Sequence, residues 1–417
     1  MIHINGKLKK ASKIYSYFKL PHVVRVEHLK DRLGLMTRDP GLERAIDEAV
    51  SWLCRAQDKS LSEDGGVALQ YSLINGWCTS YPETTGYIIS TLITYADLRK
   101  DEGIRGRVKK MLDWLVSIQF TSGGFQGGLI GCKPIVPVTF NTGQILLGLV
   151  CGVREFGEKY LVPMRRAADW LVETQDFDGC WRKYPSPLVA PGEKAYETHV
   201  AWGLLEAARL DSKKSYEEAA LKNITWALSL QKENGWFEKC CLSNPTQPLT
   251  HTLGYVLRGL IEAYRYTGDQ ALLNASRKTG DGLLKALRKD GSVPGRLNQN
   301  WQGTVTWNCL TGSVQIAICW LLLYQNTGEV QYKNAAYLVN RFVRRTMKIN
   351  GLPGIRGAIK GSFPIHGQYC PYGFPNWATK FFVDANMLEM NQQNDNCSYQ
   401  ESGLREIGIT VLKRRSN

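Results

Sequence analysis

The sequence predicts an all-α protein, an (α/α)6 toroid in which six helical hairpins form two concentric rings. Three observations carry that prediction. One motif returns at roughly sixty-residue intervals, the spacing of a stacked supersecondary unit: an aromatic residue near a helix end, a Gln, then a Gly-rich turn. Each turn is followed by a segment that is apolar nearly all round, as befits a helix walled by a second ring. The bulk composition, 43% hydrophobic and 22% charged, is that of a globular protein. No apolar run reaches the roughly eighteen residues of a membrane-spanning helix.

The outer helices come first in each unit. Their ends read Trp52…Gln57…Gly65-Gly66, Trp114…Gln119…Gly123-Gly124, Trp170…Gln175…Asp178-Gly179 and Trp226…Gln231…Gly235. Weaker copies follow at Leu284…Asp290-Gly291 and Phe342…Lys348…Gly351. The inner helices are expected to begin near Thr84, Asn141, Glu197, Leu253, Leu310 and Trp377. A Gly or another small residue near these starts lets six helices approach one axis. Thr85, Thr142, Thr198 and Thr311 are expected to take an orphan N–H at the helix start.

The ring predicts three regions: a basic amphipathic N-terminal arm over 1–38, the toroid over 39–390, and a polar linker with a basic tail over 391–417. The arm carries nine Lys or Arg against Glu27 and Asp31, with Ile4, Leu8, Ile14 and Phe18 at helical spacing. It suits either the outside of the ring or an anionic membrane surface. The net charge of +14 invites a nucleic-acid reading, but much of the excess sits at the ends and no nucleic-acid module interrupts the repeats. Eleven Cys without paired spacing, and no signal peptide, point to reduced thiols and a cytoplasmic protein, peripheral at the inner membrane face if the arm binds there.

The stretch 166–181, with Trp170, Gln175, Asp178-Gly179 and Trp181, resembles the Gln-Trp repeat of squalene and oxidosqualene cyclases. Gly123-Gly124-Phe125-Gln126-Gly127 resembles the corresponding turn of protein prenyltransferase β subunits. The resemblance spans some 350 residues as a repeat pattern and implies the α/α toroid. The catalytic motifs of those families do not accompany it. Neither Asp-x-Asp-Asp nor Asp-Asp-x-x-Asp occurs. His251 resembles the zinc-binding His of prenyltransferases, but no Asp-x-Cys partner is apparent, and Cys78 and Cys240-Cys241 do not supply the ligands of lanthionine cyclases. No metal and no cofactor is therefore expected.

What remains is a ring of polar groups at the inner-helix starts, which all open at one end of the barrel. Glu83 and Glu197 are the acid/base candidates, with His199 and His251 as proton shuttles. Tyr81, Asn141, Tyr196, Trp307, Asn308, Trp377, Lys380 and Asp384 are the substrate-binding candidates. Carboxylates, histidines, amides and aromatic faces around one mouth suit glycan chemistry. The loops at Gly295-Arg296 and Gly351–Gly361 are expected to bring positive charge over that mouth, which suits an acidic substrate. Each residue also has a structural use: Glu83 at a helix start, Glu197 paired with Lys194, the histidines and tryptophans in the core.

The expectation is an intracellular enzyme acting on a glycan or lipid-linked saccharide precursor, as a hydrolase, lyase or epimerase of surface-polysaccharide metabolism. The alternatives are a terpenoid cyclase or prenyl-handling enzyme and a non-catalytic toroid that binds a glycan or peptide.

Overall fold

A computed structural model describes residues 19–406. The amphipathic pattern from Ile4 to Phe18, and with it the expected membrane contact, lies outside the described residues. A short helix α1 (His22–Arg32) precedes six helical hairpins. The outer helices are α2 (Leu42–Asp58), α4 (Glu102–Ser117), α6 (Leu161–Glu173), α8 (Lys214–Leu228), α10 (Gln270–Ala286) and α12 (Val330–Arg344). The inner helices are α3 (Pro82–Arg99), α5 (Thr139–Phe156), α7 (Thr198–Asp211), α9 (Thr250–Thr267), α11 (Leu310–Thr327) and α13 (Asn376–Glu406). Successive inner helices pack side by side, and α13 returns to α2 and α3, so the ring closes. This is the expected (α/α)6 toroid.

The repeated Gln has a mechanical role. The side-chain amide of Gln119 donates to Gly123 O (2.8 Å) in its own turn and to Pro163 O (3.0 Å) in the next outer helix. Gln175 does the same to Gly179 O (3.0 Å) and Ala219 O (2.8 Å), and Gln57 to Gly65 O (2.9 Å) and Arg107 O (3.2 Å). Gln231 reaches Ala275 O (2.8 Å) and Thr279 Oγ1 (2.9 Å). One amide thus ties each of the first four units to the next. The turn glycine is required twice over. Gly179 has φ +94°, and a Cβ there would lie 2.5 Å from Lys222 O of the following outer helix.

The sixth unit departs from the expected motif. Gly351 has open space around it, whereas a Cβ on Gly357 would lie 2.0 Å from Glu48 O of α2. Gly357, not Gly351, makes the interlocking approach that closes the ring. No Gln serves this seam. Instead Trp52 Nε1 donates to Gly354 O (2.8 Å), and Arg55 Nε to Pro353 O (3.1 Å).

The inner-helix threonines do more than was expected of them. Thr85 Oγ1 accepts from Val67 N (3.0 Å) and donates to Tyr81 O (2.8 Å); Thr142 Oγ1 accepts from Phe125 N (3.0 Å) and donates to Val138 O (2.9 Å). They sit inside the first turn, where the i−4 carbonyl is in reach, so they staple the Gly turn to the inner helix rather than cap their own helix. Thr198 donates to Val256 O of the neighbouring inner helix (3.3 Å), and Thr311 Oγ1 is buried without a partner.

Short strands finish the rim. β1 (Gln70–Ser72) pairs antiparallel with β2 (Gly76–Trp77) and with β5 (Gly373–Pro375), joining the first unit to the last; β3 (Asn308–Cys309) pairs with β4 (Ser362–Phe363). The described part of the arm is a clasp. Glu27 and Asp31 of α1 are buried; Glu27 pairs with Lys348, and Asp31 with Lys360 at 2.6 Å. The polar segment 391–403, expected as a linker, instead continues α13 to Glu406, with Gln392 Nε2 donating to Leu321 O of α11 (3.3 Å). Among the described residues no helix is long and apolar enough to cross a membrane.

The seam yields a test. Gly357→Ala is expected to lower the melting temperature clearly more than Gly351→Ala, because both positions have positive φ but only Gly357 meets backbone. Strain at such a position costs on the order of 1–3 kcal/mol before the clash is added. Equal melting temperatures for the two variants would contradict the closure assigned to Gly357.

Candidate active site

The first turns of the inner helices converge on a cavity of about 320 Å3. Pro82 opens α3, which places Glu83 in its first turn. Tyr81 OH donates to Glu83 Oε2 at 2.6 Å. A helix start favours a carboxylate, and the Tyr81 bond also favours ionisation. Burial outweighs both and pushes the Glu83 carboxyl up to about 7. Asn141, in the first turn of α5, lines the same cavity. It is 1% exposed and its amide lies beside the Tyr81 hydroxyl, but neither Oδ1 nor Nδ2 makes a hydrogen bond of good geometry. A buried amide without such a bond is a group kept for a ligand or an ordered water.

His251, in the first turn of α9, also lines the cavity. Its Nδ1 is 2.7 Å from Gln315 Oε1. The amide oxygen can only accept, so Nδ1 carries the hydrogen and Nε2 the lone pair. Burial holds this imidazole down to about 4, so it is neutral at pH 7. Tyr255, one turn further along α9, lies 4.6 Å from the ring of His251, 4.6 Å from that of His199 and 5.1 Å from Phe140, centroid to centroid. Trp377 Nε1 donates to Tyr369 OH (2.8 Å), and the indole faces Tyr81 at 6.3 Å. Tyr87 and Tyr196 complete the aromatic wall.

The remaining expected residues lie elsewhere. His199 is buried beneath Tyr255, its Nδ1 held by Gln144 Oε1 (2.7 Å) and its pKa driven well below the usual range by burial; it does not line the cavity. Glu197 occupies a neighbouring pocket of about 370 Å3. Burial raises its carboxyl to about 8, and Oε2 has no partner. Phe140, Ser186, Val189 and Tyr196 line both spaces.

Lys380 and Asp384 face the other end of the barrel, where they pair at 2.5 Å beside Arg258 in a separate funnel. They sit further along α13 than Trp377, and the helical rise carries them past the cavity floor. Trp307 packs with Leu249 and Cys309 over Gly295, and Asn308 lies in β3 with Nδ2 donating to Phe363 O (3.3 Å). Both precede α11 rather than belong to its first turn, so neither reaches the cavity. The expected basic lid is not formed. Arg296 donates to Gln247 O (2.6 Å), Arg356 pairs with Glu48 (3.3 Å) and Lys360 is buried on Asp31.

Sequence reasoning missed Tyr87, Tyr255, Tyr369, Gln144 and Gln315. Tyr87 and Tyr255 stand four residues after Glu83 and His251, so the helical repeat held a signal for them. Tyr369 arrives on a return loop without periodicity. Among the described residues no Lys or Arg lines the central cavity, and Glu83 is the carboxylate that does. Among the described residues no three His, Cys, Asp or Glu side chains gather as a metal site.

No protein-family model and no curated protein sequence matches the chain. Solved structures do. An unsaturated glucuronyl hydrolase specific for heparin superposes with a TM-score of 0.68 at 15% identity, over 85% of this chain and 98% of that one. The unsaturated glucuronyl hydrolase of Bacillus sp. GL1, responsible for the degradation of glycosaminoglycan, gives 0.66 at 14% identity, over 83% and 96%. A Streptococcus agalactiae unsaturated glucuronyl hydrolase mutant, complexed with the disaccharide dGlcA-GalNAc6S, gives 0.61 at 12% identity, over 85% and 92%. At such identities the likeness establishes the fold: this chain shares the toroid of these saccharide hydrolases over nearly their whole length.

Proposed function

We propose that the chain is a carbohydrate-active hydrolase that takes the end of a saccharide into the central cavity, with Glu83 as its acid. The observation that carries this reading is the pairing of a carboxyl held up to about 7 with an unpartnered Asn141 amide in a tyrosine-walled cavity. Aromatic faces suit the C–H faces of a sugar ring, while phenol hydroxyls and the amide suit its hydroxyl groups.

The cavity has one carboxylate, and that bears on the reaction. Cleavage of an ordinary glycosidic bond uses a pair flanking it. A terminal unsaturated uronyl unit, with its double bond beside the ring oxygen, needs only one. Glu83 protonates the far carbon of the enol ether, and the positive charge develops on the carbon bonded to the ring oxygen. Water adds there and its proton returns to the Glu83 carboxylate; the hemiketal opens to a ketone, leaving the anomeric carbon as a hemiacetal, whose collapse to an aldehyde releases the next sugar. Neutral His251 is suited to accept a hydrogen bond from that water through Nε2. The structurally similar hydrolases are named for an unsaturated glucuronyl substrate, which supports the same class here.

One observation favours a terpenoid or prenyl ligand instead: among the described residues no Lys or Arg lines the aromatic cavity. The unpartnered Asn141 amide weighs against it, because an apolar chain would leave that amide buried without a hydrogen bond.

Turnover of unsaturated glucuronyl disaccharides, followed by loss of the double-bond absorbance, tests the proposal. Glu83→Gln is expected to lower kcat by roughly 10²–10⁴-fold. Unchanged turnover would remove Glu83 from the mechanism, and absence of turnover with tight binding of an uncharged prenyl alcohol would favour the second reading. The pH profile is a separate prediction. Glu83 must be protonated to act, so kcat/KM should fall as pH rises through about 7; it should also fall below about 4, where His251 becomes cationic. Tyr81→Phe removes a bond that favours the ionised carboxyl, so it should move the alkaline limb to higher pH. A limb that moves down or stays fixed contradicts the assignment.

A further inference from the structure

The funnel at the other end of the barrel holds cations that the proposed reaction does not use. Its volume is about 400 Å3, larger than that of the central cavity. Arg258, Arg265 and Lys380 line it, and these three cations share two carboxylates, Glu262 and Asp384. Asp384 is spent on Lys380 Nζ (2.5 Å) and Thr91 Oγ1 (2.7 Å). Glu262 accepts from Arg258 Nε (2.7 Å) and from Arg265 Nη1 (3.1 Å). That pairing holds Arg258 through Nε and leaves the two NH2 groups of its fork for a further acceptor. Helix C-termini attract cations, but the effect falls off within the last turn. It accounts for Arg265. It does not account for Arg258, the ninth of eighteen residues in α9, or for Lys380, the fifth residue of α13.

Apolar faces surround these charges. The Arg258 guanidinium lies 4.4 Å from the Trp202 ring, and the Lys380 ammonium 4.4 Å from the Phe381 ring. Lys380 is 5% exposed. Burial, with the nearby Arg258 charge adding to it, pulls the Lys380 ammonium below its usual pKa against the hold of Asp384. Two like charges set close together at the bottom of an apolar funnel favour an anion between them. A single layer of side chains separates this funnel from the central cavity. Tyr87 lines the cavity on one side and lies 5.1 Å from the Lys380 ammonium on the other. Among the described residues no side chain lines both spaces.

We infer that the funnel is a second binding site, for a small organic anion with an apolar body. The Arg258 fork and the Lys380 ammonium receive its carboxylate or phosphate, and Phe381, Ile318 and Leu322 cover the remainder. A guanidinium fork matches either anion with two parallel hydrogen bonds. The site is distinct from the saccharide cavity and stands whether or not the saccharide reading holds.

Calorimetric titration of the full chain with phenylacetate, phenyl phosphate and 2-phenylethanol tests this. One or both anions are expected to bind about tenfold more tightly than the uncharged alcohol. The two anionic arms separate carboxylate from phosphate. Arg258→Gln should remove that preference. Because this variant also disturbs the buried Glu262, a second one decides the matter if it does not fold: Thr94→Trp, at an exposed position of the funnel wall, should block binding of the anions. Glu83→Gln alters the central cavity and should leave this binding unchanged. Absence of binding by both anions would overturn the proposal, as would equal binding of the alcohol. So would anion binding that survives Thr94→Trp, or that is lost in Glu83→Gln, since either result places the anion outside the funnel.

Discussion

The toroid depends on one side-chain amide used repeatedly. Gln57, Gln119 and Gln175 each satisfy a carbonyl in their own Gly turn and another in the following outer helix. A primary amide has two N–H groups, so a single residue can fix both the turn and its neighbour. The turn glycines allow the approach: a Cβ at Gly123, Gly179 or Gly235 would lie 2.2–2.5 Å from a carbonyl of the next outer helix. Contact this close leaves little freedom in the rotation between units. The rotation per unit decides whether a chain of hairpins makes an open solenoid or a ring. Here the sixth unit meets the first, and the seam is made by Trp52, Arg55 and Gly357 instead of Gln.

Closure is what makes a site. An isolated hairpin offers one helix start; six around an axis bring their first turns to a common floor. Glu83, Asn141, His251 and Trp377 belong to four different inner helices, yet they line one cavity. Their neighbours fix their orientation. Gln315 sets the tautomer of His251, Tyr81 holds one oxygen of Glu83, and Tyr369 takes the indole N–H of Trp377. Gln144 holds His199 in the same way as Gln315 holds His251, although His199 is covered by Tyr255. Two inner units thus carry the same His–Gln pair; both rings are buried, but only that of His251 lines the cavity.

The sequence was readable where structure follows from local spacing. The Gln and Gly positions of the first four units mark their turns because the close approach demands those residue types. The sixth was misplaced because Gly351 precedes Gly357 by six residues with nothing in the pattern to rank them; only contact with Glu48 does so. The same limit governed the site. Residues in a first turn, such as Glu83, Asn141 and His251, were found because every first turn shares one end of the barrel. Lys380 was assigned to the cavity on proximity in sequence to Trp377. Its position one turn further along α13 puts the Phe381 ring 4.4 Å and the Tyr87 ring 5.1 Å from its ammonium, on the far side of the floor. Tyr369 came from a loop whose path depends on the β3–β4 and β1–β5 pairings, which the sequence did not specify.

The placement of charge along the barrel has a common cause. All six inner helices run in the same direction, so their N-terminal ends gather at the cavity and their C-terminal ends at the opposite funnel. Each N-terminus carries a partial positive charge and each C-terminus a partial negative one. At the cavity end that field disfavours imidazolium, in keeping with His251 and His199 being neutral, and it supplies positive potential without any Lys or Arg in the wall. Arg258, Arg265 and Lys380 line the opposite funnel, where they pair with Glu262 and Asp384. A uronyl carboxylate entering the cavity would therefore be met by backbone dipoles, phenols and an amide. These groups bind an anion without placing a cation beside Glu83 that would draw its proton away. A lysine in that wall would lower the Glu83 pKa and so weaken it in the acid role proposed for it. The exclusion of cations from the cavity and the raised carboxyl are two sides of one arrangement.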